Sequence, residues 1–401
     1  MHIEPITCLR PQPKYAQEFC AEPYDVFTDE EARAYVEAHP RSFLAIDRPE
    51  TAFPPGQDPS APEVYAKAQE ILRDRQRDNT LTIDETPALY LYELTLDGHS
   101  QLGVMCAVAC DDYLTGVVHR HELTLPVKEL DRVNHIKTTR AQTGPVFIAY
   151  RDNMAIDVIT KAATMAEPLY DFVAEDGVRQ RVWRVTRPSA VESLQLAFQQ
   201  IADAYIADGH HRAAAACRIC QERREQGKEN DPAESFLAVL FPQSQLKILP
   251  YDRIVANDGN MTAEEIAEAL KAENFEVSAP KDNPADESAK GSFEMYFDGS
   301  WYTLTWKGEA DDLDVGILQD HVLSPIFHIE DPRRDERVSF LGGVTPQELR
   351  EATPEGHIAF ALHPTSMDEL FAVSDAGGLM PPKSTWFSPK LLSGIALRRI
   401  W

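Results

Sequence analysis

Asp208-Gly209-His210-His211-Arg212 gathers a carboxylate, two imidazoles and a guanidinium within five residues. Side chains of these types, so close together, suit the binding of an anion, phosphate above all. Arg212 can grip a phosphate bidentately, which lysine cannot. The group needs a frame that points it one way. An apolar run, Tyr205-Ile206-Ala207, stands before it, and Ala213-Ala214-Ala215-Ala216, the best helix former, stands after it. That order predicts a strand, a tight turn and a helix. Gly209 lets backbone approach a ligand closely, and the first N–H groups of the helix point to the same place.

Two other stretches carry candidate groups. Gly116-Val117-Val118-His119-Arg120-His121-Glu122 ends an apolar run with ionisable residues. In extended chain His119 and His121 share one face, Arg120 and Glu122 the other. His119 and His121 are candidate phosphate ligands, or alternate histidines on a zinc. His210 and His211, adjacent on a helix, diverge by ~100° and do not share an ion. Glu122 is the first candidate for a general base, ahead of Glu31 and Glu50; Glu31 has its own explanation in a capping box with Thr28. Near the C-terminus, Lys383, Ser384 and Thr385 offer donors to an anionic ligand, with Trp386 as a surface to stack on. The same segment also reads as irregular chain docked by Trp386 and Phe387.

The frame around these groups is a globular one. The 401 residues are enough for two or three cores, and the net charge is −26. So acidic a chain repels phosphate backbones and anionic lipid, which argues against a general nucleic-acid or membrane binder. It leaves room for a local basic pocket. No stretch of eighteen apolar residues occurs, and Met1–Pro5 begins no secretory signal, so a cytoplasmic location is expected. Six cysteines, at 8, 20, 106, 110, 217 and 220, are then expected as free thiols. Cys217 and Cys220, three apart on a helix, read as core.

Along the chain, Thr28 and Glu31 open a helix that runs to about His39. Ser42-Phe43-Leu44-Ala45-Ile46 reads as a buried strand. Residues 52–62 form a loop and a charged helix follows to about 78. Apolar runs at 88–96 and 101–108 flank Asp97-Gly98, a hairpin signal. A locally basic helix, about 127–142, carries Arg132, His135, Lys137 and Arg140 and is expected to be solvated. Strands near 144–150, 168–174 and 178–187 and helices near 153–165 and 191–200 lead into the turn at 208–212. Ser189 is placed as a helix cap. Beyond a charged linker at 226–232, Ser235–Phe241 is the most apolar strand. Residues 278–290 read as a loop or joint, and the last third alternates short strands and helices. The fold class expected is α/β or α+β, with mixed sheets flanked by helices. Three segments are expected: 1–80, a central α/β domain at 81–256, and an α+β domain at 257–401.

Tyr24-Asp25-Val26, Glu31-Ala32-Arg33, Arg48-Pro49-Glu50, the Gly116–Glu122 group, Ala207–Arg212 and Lys383–Lys390 stand in an order and spacing that resemble the domain-of-unknown-function family 1015. The resemblance spans nearly the whole chain. Within it, Asp208-Gly209-His210-His211-Arg212 is similar to the phosphate box of the ParB/sulfiredoxin superfamily, in the form found in its free-serine kinases. That likeness implies a ParB/sulfiredoxin-like core with large insertions. It implies a phosphotransferase that uses ADP or ATP with Mg²⁺ and acts on free serine or a similar hydroxy compound. By position, Gly209, His210, His211 and Arg212 would meet phosphate, and Asp208 would bind the metal or orient the acceptor. Those kinases also use a glutamate base from outside the box. The catalytic set is read as Glu122, Asp208 and His210. A nucleotide-sensing module without turnover and a metal-dependent hydrolase built on the histidines are the alternatives. A sulfiredoxin-like role would want a cysteine in the turn, where His210 and His211 stand.

Overall fold

The computed structural model describes residues 1–228, 231–285, 289–308 and 313–401. Parts of the expected linker at 226–232 and loop at 278–290 lie outside the described residues. The architecture is a mixed α/β one, with several sheets flanked by helices. Contacts group the chain into two units, Met1–Leu246 with Pro389–Trp401, and Lys247–Ser388. The sequence suggested divisions after 80 and 256. Tyr251–Ala256 pairs with Val338–Gly342 and His357–Ala361, and Leu397–Arg399 pairs with Cys8–Pro11 and Ala141–Gln142.

In the first unit, nine strands among the described residues form one sheet. From one edge the order is Val118–His119, Ala204–Asp208, Val146–Tyr150, Ser235–Pro242, His99–Ala109, Leu89–Leu96, Arg179–Val185 and Tyr170–Val173; Ile3–Glu4 also pairs with His99–Ala109. Two pairings are parallel, 118–119 with 204–208 and 146–150 with 235–242, and the rest are antiparallel. The Asp97-Gly98 hairpin is as expected. Leu96 pairs with His99, and both loop residues have positive φ, 50° and 79°, the conformation that matches strand twist. Ser235–Pro242 is buried throughout, as a strand near the middle of a sheet covered on both faces must be. Helices Met154–Ala163, Pro188–Phe198 and His210–Glu225 contribute Ile156, Leu194, Phe198, Ala213 and Ala216 to the core on one face.

The Thr28–Glu31 capping box forms as read, opening the helix Asp29–Ala38. Other expectations are corrected. Ser42–Ile46 is buried but not a strand; Leu44–Asp47 is a helical turn whose start is held by Ser42 Oγ, accepting from the Leu44 N–H. A short apolar run has no periodicity to separate the two forms. Ser189 caps nothing, because Pro188 already begins that helix and Arg187 is its N-cap. The basic helix, Pro126–Thr139, is not simply solvated. It buries Arg132 and His135 beside Val133, Ile136 and Thr139. All six cysteines are free and buried.

In the second unit, six strands among the described residues form a sheet in the order Phe275–Val277, Ser300–Trp306, Ser292–Phe297, His357–Ala361, Tyr251–Ala256 and Val338–Gly342. Thr262, Thr345 and Ser366 each open a helix through a capping box.

Gly103 shows how tightly the first unit's sheet is packed. A Cβ there would lie 2.6 Å from Val239 Cγ1 and 2.7 Å from Phe241 Cε1. Both are core side chains with no room to retreat. Gly103→Ala is expected to lower stability by about 1–3 kcal/mol. Urea denaturation of the two proteins checks it, and unchanged midpoints would mean that the core gives way at no cost.

Candidate functional site

The turn forms where the sequence placed it. Strand Ala204–Asp208 ends, Gly209 follows, and helix His210–Glu225 begins. A bulge at Ala207 shifts the register between the Ile206–Ile148 and Asp208–Phe147 pairs and re-aims the strand's last residue. Gly209 has φ 96° and is the N-cap of a sixteen-residue helix that no side chain caps. Helix starts of this kind leave N–H groups to bind anions.

Arg212 ties the turn together. Its Nη2 donates to Asp208 Oδ2 at 2.9 Å and its Nη1 to the Pro145 carbonyl at 2.5 Å. The guanidinium lies flat along Gly209, where a Cβ would come within 2.9 Å of Arg212 Nε. The absence of a side chain at 209 therefore serves two ends, a left-handed backbone and the seating of Arg212.

The histidines part company. His121 lies beyond the end of its short strand, 2% exposed, with its ring edge-on to that of His210 at 4.5 Å between centroids. Burial pushes the His121 pKa down to about 4 and that of His210 well below the usual range, against the opposing pull of Asp208. Both rings are neutral at pH 7. His121 Nδ1 is buried without a hydrogen-bond partner. His210 Nε2 is also buried without a partner. Leaving such an atom unpaired costs about 1–3 kcal/mol. Two such atoms lie beside one uncapped helix start.

His211 turns the other way, and its Nε2 accepts from the Leu125 N–H at 3.0 Å. The expected divergence of the adjacent pair is observed. His119 does not share the surroundings of His121. Its Nε2 meets Asp203 Oδ1 at 2.8 Å and its ring stacks on Tyr205. Only Val118 and His119 are strand, so the alternation that would put both histidines on one metal does not extend to 121. Among the described residues, no group of three or more His, Cys, Asp or Glu has the arrangement to hold a metal ion.

Of the candidate bases, Glu31 is committed to its capping box and Glu50 to Arg48, whose guanidinium also reaches Asp29 and the Tyr24 and Phe27 carbonyls. Glu122 is half-buried at the bend after His121. In the second unit, Lys383 has φ 59°, Ser384 is buried with its hydroxyl donating to the Pro381 carbonyl, and the Ser384 carbonyl accepts from Thr365 Oγ1. Arg253 donates to the Pro382 and Lys383 carbonyls, and Trp386 packs on Tyr251 and over Gly342 and Gly343. These contacts fit the reading of a docked irregular segment.

A family model matches residues 3–322. The chain belongs to the family DUF1015, described as proteins of unknown function. No curated protein matches it. Among solved structures it is similar to SbnI with a C-terminal truncation from Staphylococcus aureus, at 12% identity over 72% of this chain and 85% of that one, with a TM-score of 0.40. It is similar to a free serine kinase in complex with AMP, at 14% identity over 71% and 86% of the two chains, with a TM-score of 0.38. A conserved hypothetical protein from Pyrococcus furiosus matches at 14% identity over 74% and 95%, with a TM-score of 0.38.

Sequence reasoning missed part of the neighbourhood. Arg212 also lines a cavity of about 30 Å³, with Tyr24, Asp47, Arg132, Thr143 and Ser393. The signal was available in the basic helix, where Arg132 and His135 fall on the same side as Val133, Ile136 and Thr139.

The histidines make stability depend on pH. His121 binds a proton more weakly folded than unfolded, so its contribution is complete above about pH 6.5 and is lost as pH falls toward about 4. The size is about 3 kcal/mol, and His210 acts in the same direction. Denaturant midpoints should fall between pH 7 and pH 4.5, and His121→Gln should flatten that fall. An equal slope in the variant would show that the ring is not held neutral.

Proposed function

We propose that the chain is a small-molecule phosphotransferase that uses ADP or ATP, with free serine or a similar hydroxy compound as acceptor. The observation that carries this is the uncapped helix start at Gly209, flanked by two buried neutral imidazoles with unpaired nitrogens. N–H groups of the turn would hold the phosphate, helped by the positive end of the helix dipole. Arg212 would lend charge while keeping Asp208 in place. His210 and His121 would exchange hydrogen bonds with phosphate or acceptor without adding charge. Glu122 would take the proton as the acceptor oxygen bonds to phosphorus and the bond to the nucleotide oxygen breaks.

Mg²⁺ would be held by Asp208 and by the phosphates. One carboxylate is enough for this ion when phosphate supplies the rest, and Asp208 is the part-exposed carboxylate of the turn. Bound there, the ion would offset phosphate charge. The hydrolase alternative needs a metal site shared by the histidines; their separate partners, Asp203 for His119 and His210 for His121, speak against it.

Titration calorimetry with ADP, ATP and CTP, with and without Mg²⁺, should detect binding of at least one nucleotide. Heat from none of them would remove the reading. Incubation with nucleotide and serine, followed by phosphorus NMR, should detect a phosphomonoester. Glu122→Gln should cut kcat about 100-fold or more while nucleotide affinity stays within a few-fold. Full activity in that variant would assign the base elsewhere, and nucleotide binding without product would leave a sensor in place of an enzyme.

A further inference from the structure

The cavity behind Arg212 holds charges that the phosphate turn does not explain. Asp47 is 3% exposed and Arg132 8%. Asp47 Oδ1 accepts from Thr143 Oγ1 at 3.1 Å. Arg132 spends Nε and Nη2 on one oxygen of Asp131 and lies over the Tyr24 ring. Between Asp47 and Arg132 the nearest approach is 3.9 Å, from Nη1 to Oδ1, too long for a hydrogen bond. Among the described residues, Arg132 Nη1 and Asp47 Oδ2 therefore have no hydrogen-bond partner, yet neither is sealed from accessible space. In so buried a setting that space is the cavity, which Tyr24 and Ser393 also line.

We propose that this cavity binds the head group of a small α-amino acid, the ammonium at Asp47 and the carboxylate at Arg132. A buried anion and a buried cation, each with one uncommitted atom on the same cavity, are complementary to a ligand that carries both charges on neighbouring atoms. A single ion would satisfy one and strand the other. The charges that line the cavity, rather than its size, select such a head group. Arg212 is a wall of the cavity and the clamp of the phosphate turn, so an amino acid held here lies one side chain away from that turn. The inference deepens the phosphotransferase reading and rests on it for the fate of the bound hydroxyl.

The test is calorimetry on the full chain without nucleotide. The probes are L-serine, L-threonine and glycine, with ethanolamine and glycolate as analogues that lack one charge. At least one zwitterion should bind, and both analogues should bind about tenfold more weakly or worse. Asp47→Asn, nearly isosteric, should weaken zwitterion binding by a similar factor. Tyr24→Phe, which keeps the ring under Arg132 and removes a hydroxyl, should weaken it less. Absence of zwitterion binding, equal binding of ethanolamine, glycolate and serine, or unchanged affinity in folded Asp47→Asn would each overturn the inference. Zwitterion binding by a protein that binds no nucleotide would keep it and remove the phosphotransferase. Nucleotide binding without zwitterion binding would do the reverse.

Discussion

Arg212 is bonded to both sides of its own turn. Asp208 closes the strand before it, and Pro145 stands at the head of the neighbouring strand. A part-buried guanidinium tied to a carboxylate and a carbonyl fixes both, and losing either partner would strand charge in poor solvent. The constraint reaches back to Gly209. Any side chain there would meet the guanidinium, and a positive φ of 96° would strain it as well. Asp208, Gly209 and Arg212 thus form one device, in which the helix start is held open because the arginine is held down.

That device also sorts the histidines around it. Once the bulge re-aims Asp208, His210 falls inward against His121 and His211 falls outward toward the Leu125 N–H. The two inner rings are buried enough to lose their protons, despite a carboxylate close by. Neutral rings suit this place. Charged ones would add to Arg212 and Arg120 in a confined volume, and would have to shed water to do so.

Legibility followed the range of the forces involved. The turn at 208–212, the Asp97-Gly98 hairpin and the capping box at Thr28 depend on residues within a few positions of one another, and each was readable. The failures were cases where distant chain decided. Ser42–Ile46 has strand-like composition, but the Phe43 N–H donates to the Phe19 carbonyl, and a helical turn follows. Arg132 and His135 look like solvent-facing residues of a basic helix. They are buried because the Tyr24 ring covers the first and the Ile46 carbonyl meets the second.

The pair Asp47–Arg132 resists an explanation from stability alone. Burying two charges costs several kcal/mol each, and a well-made ion pair recovers this only with close geometry and every donor and acceptor filled. Here the approach is 3.9 Å and one atom on each side is unfilled. Closure to a bidentate pair, or replacement by apolar side chains, would serve the fold better. Arg132 is held instead by Asp131, which Tyr65 in turn steadies through its hydroxyl, and Asp47 is held by Thr143. Supports on the far side of each group keep the two apart and aimed at common space. An arrangement that spends bonds on preventing an ion pair from closing is one in which the gap is the useful part.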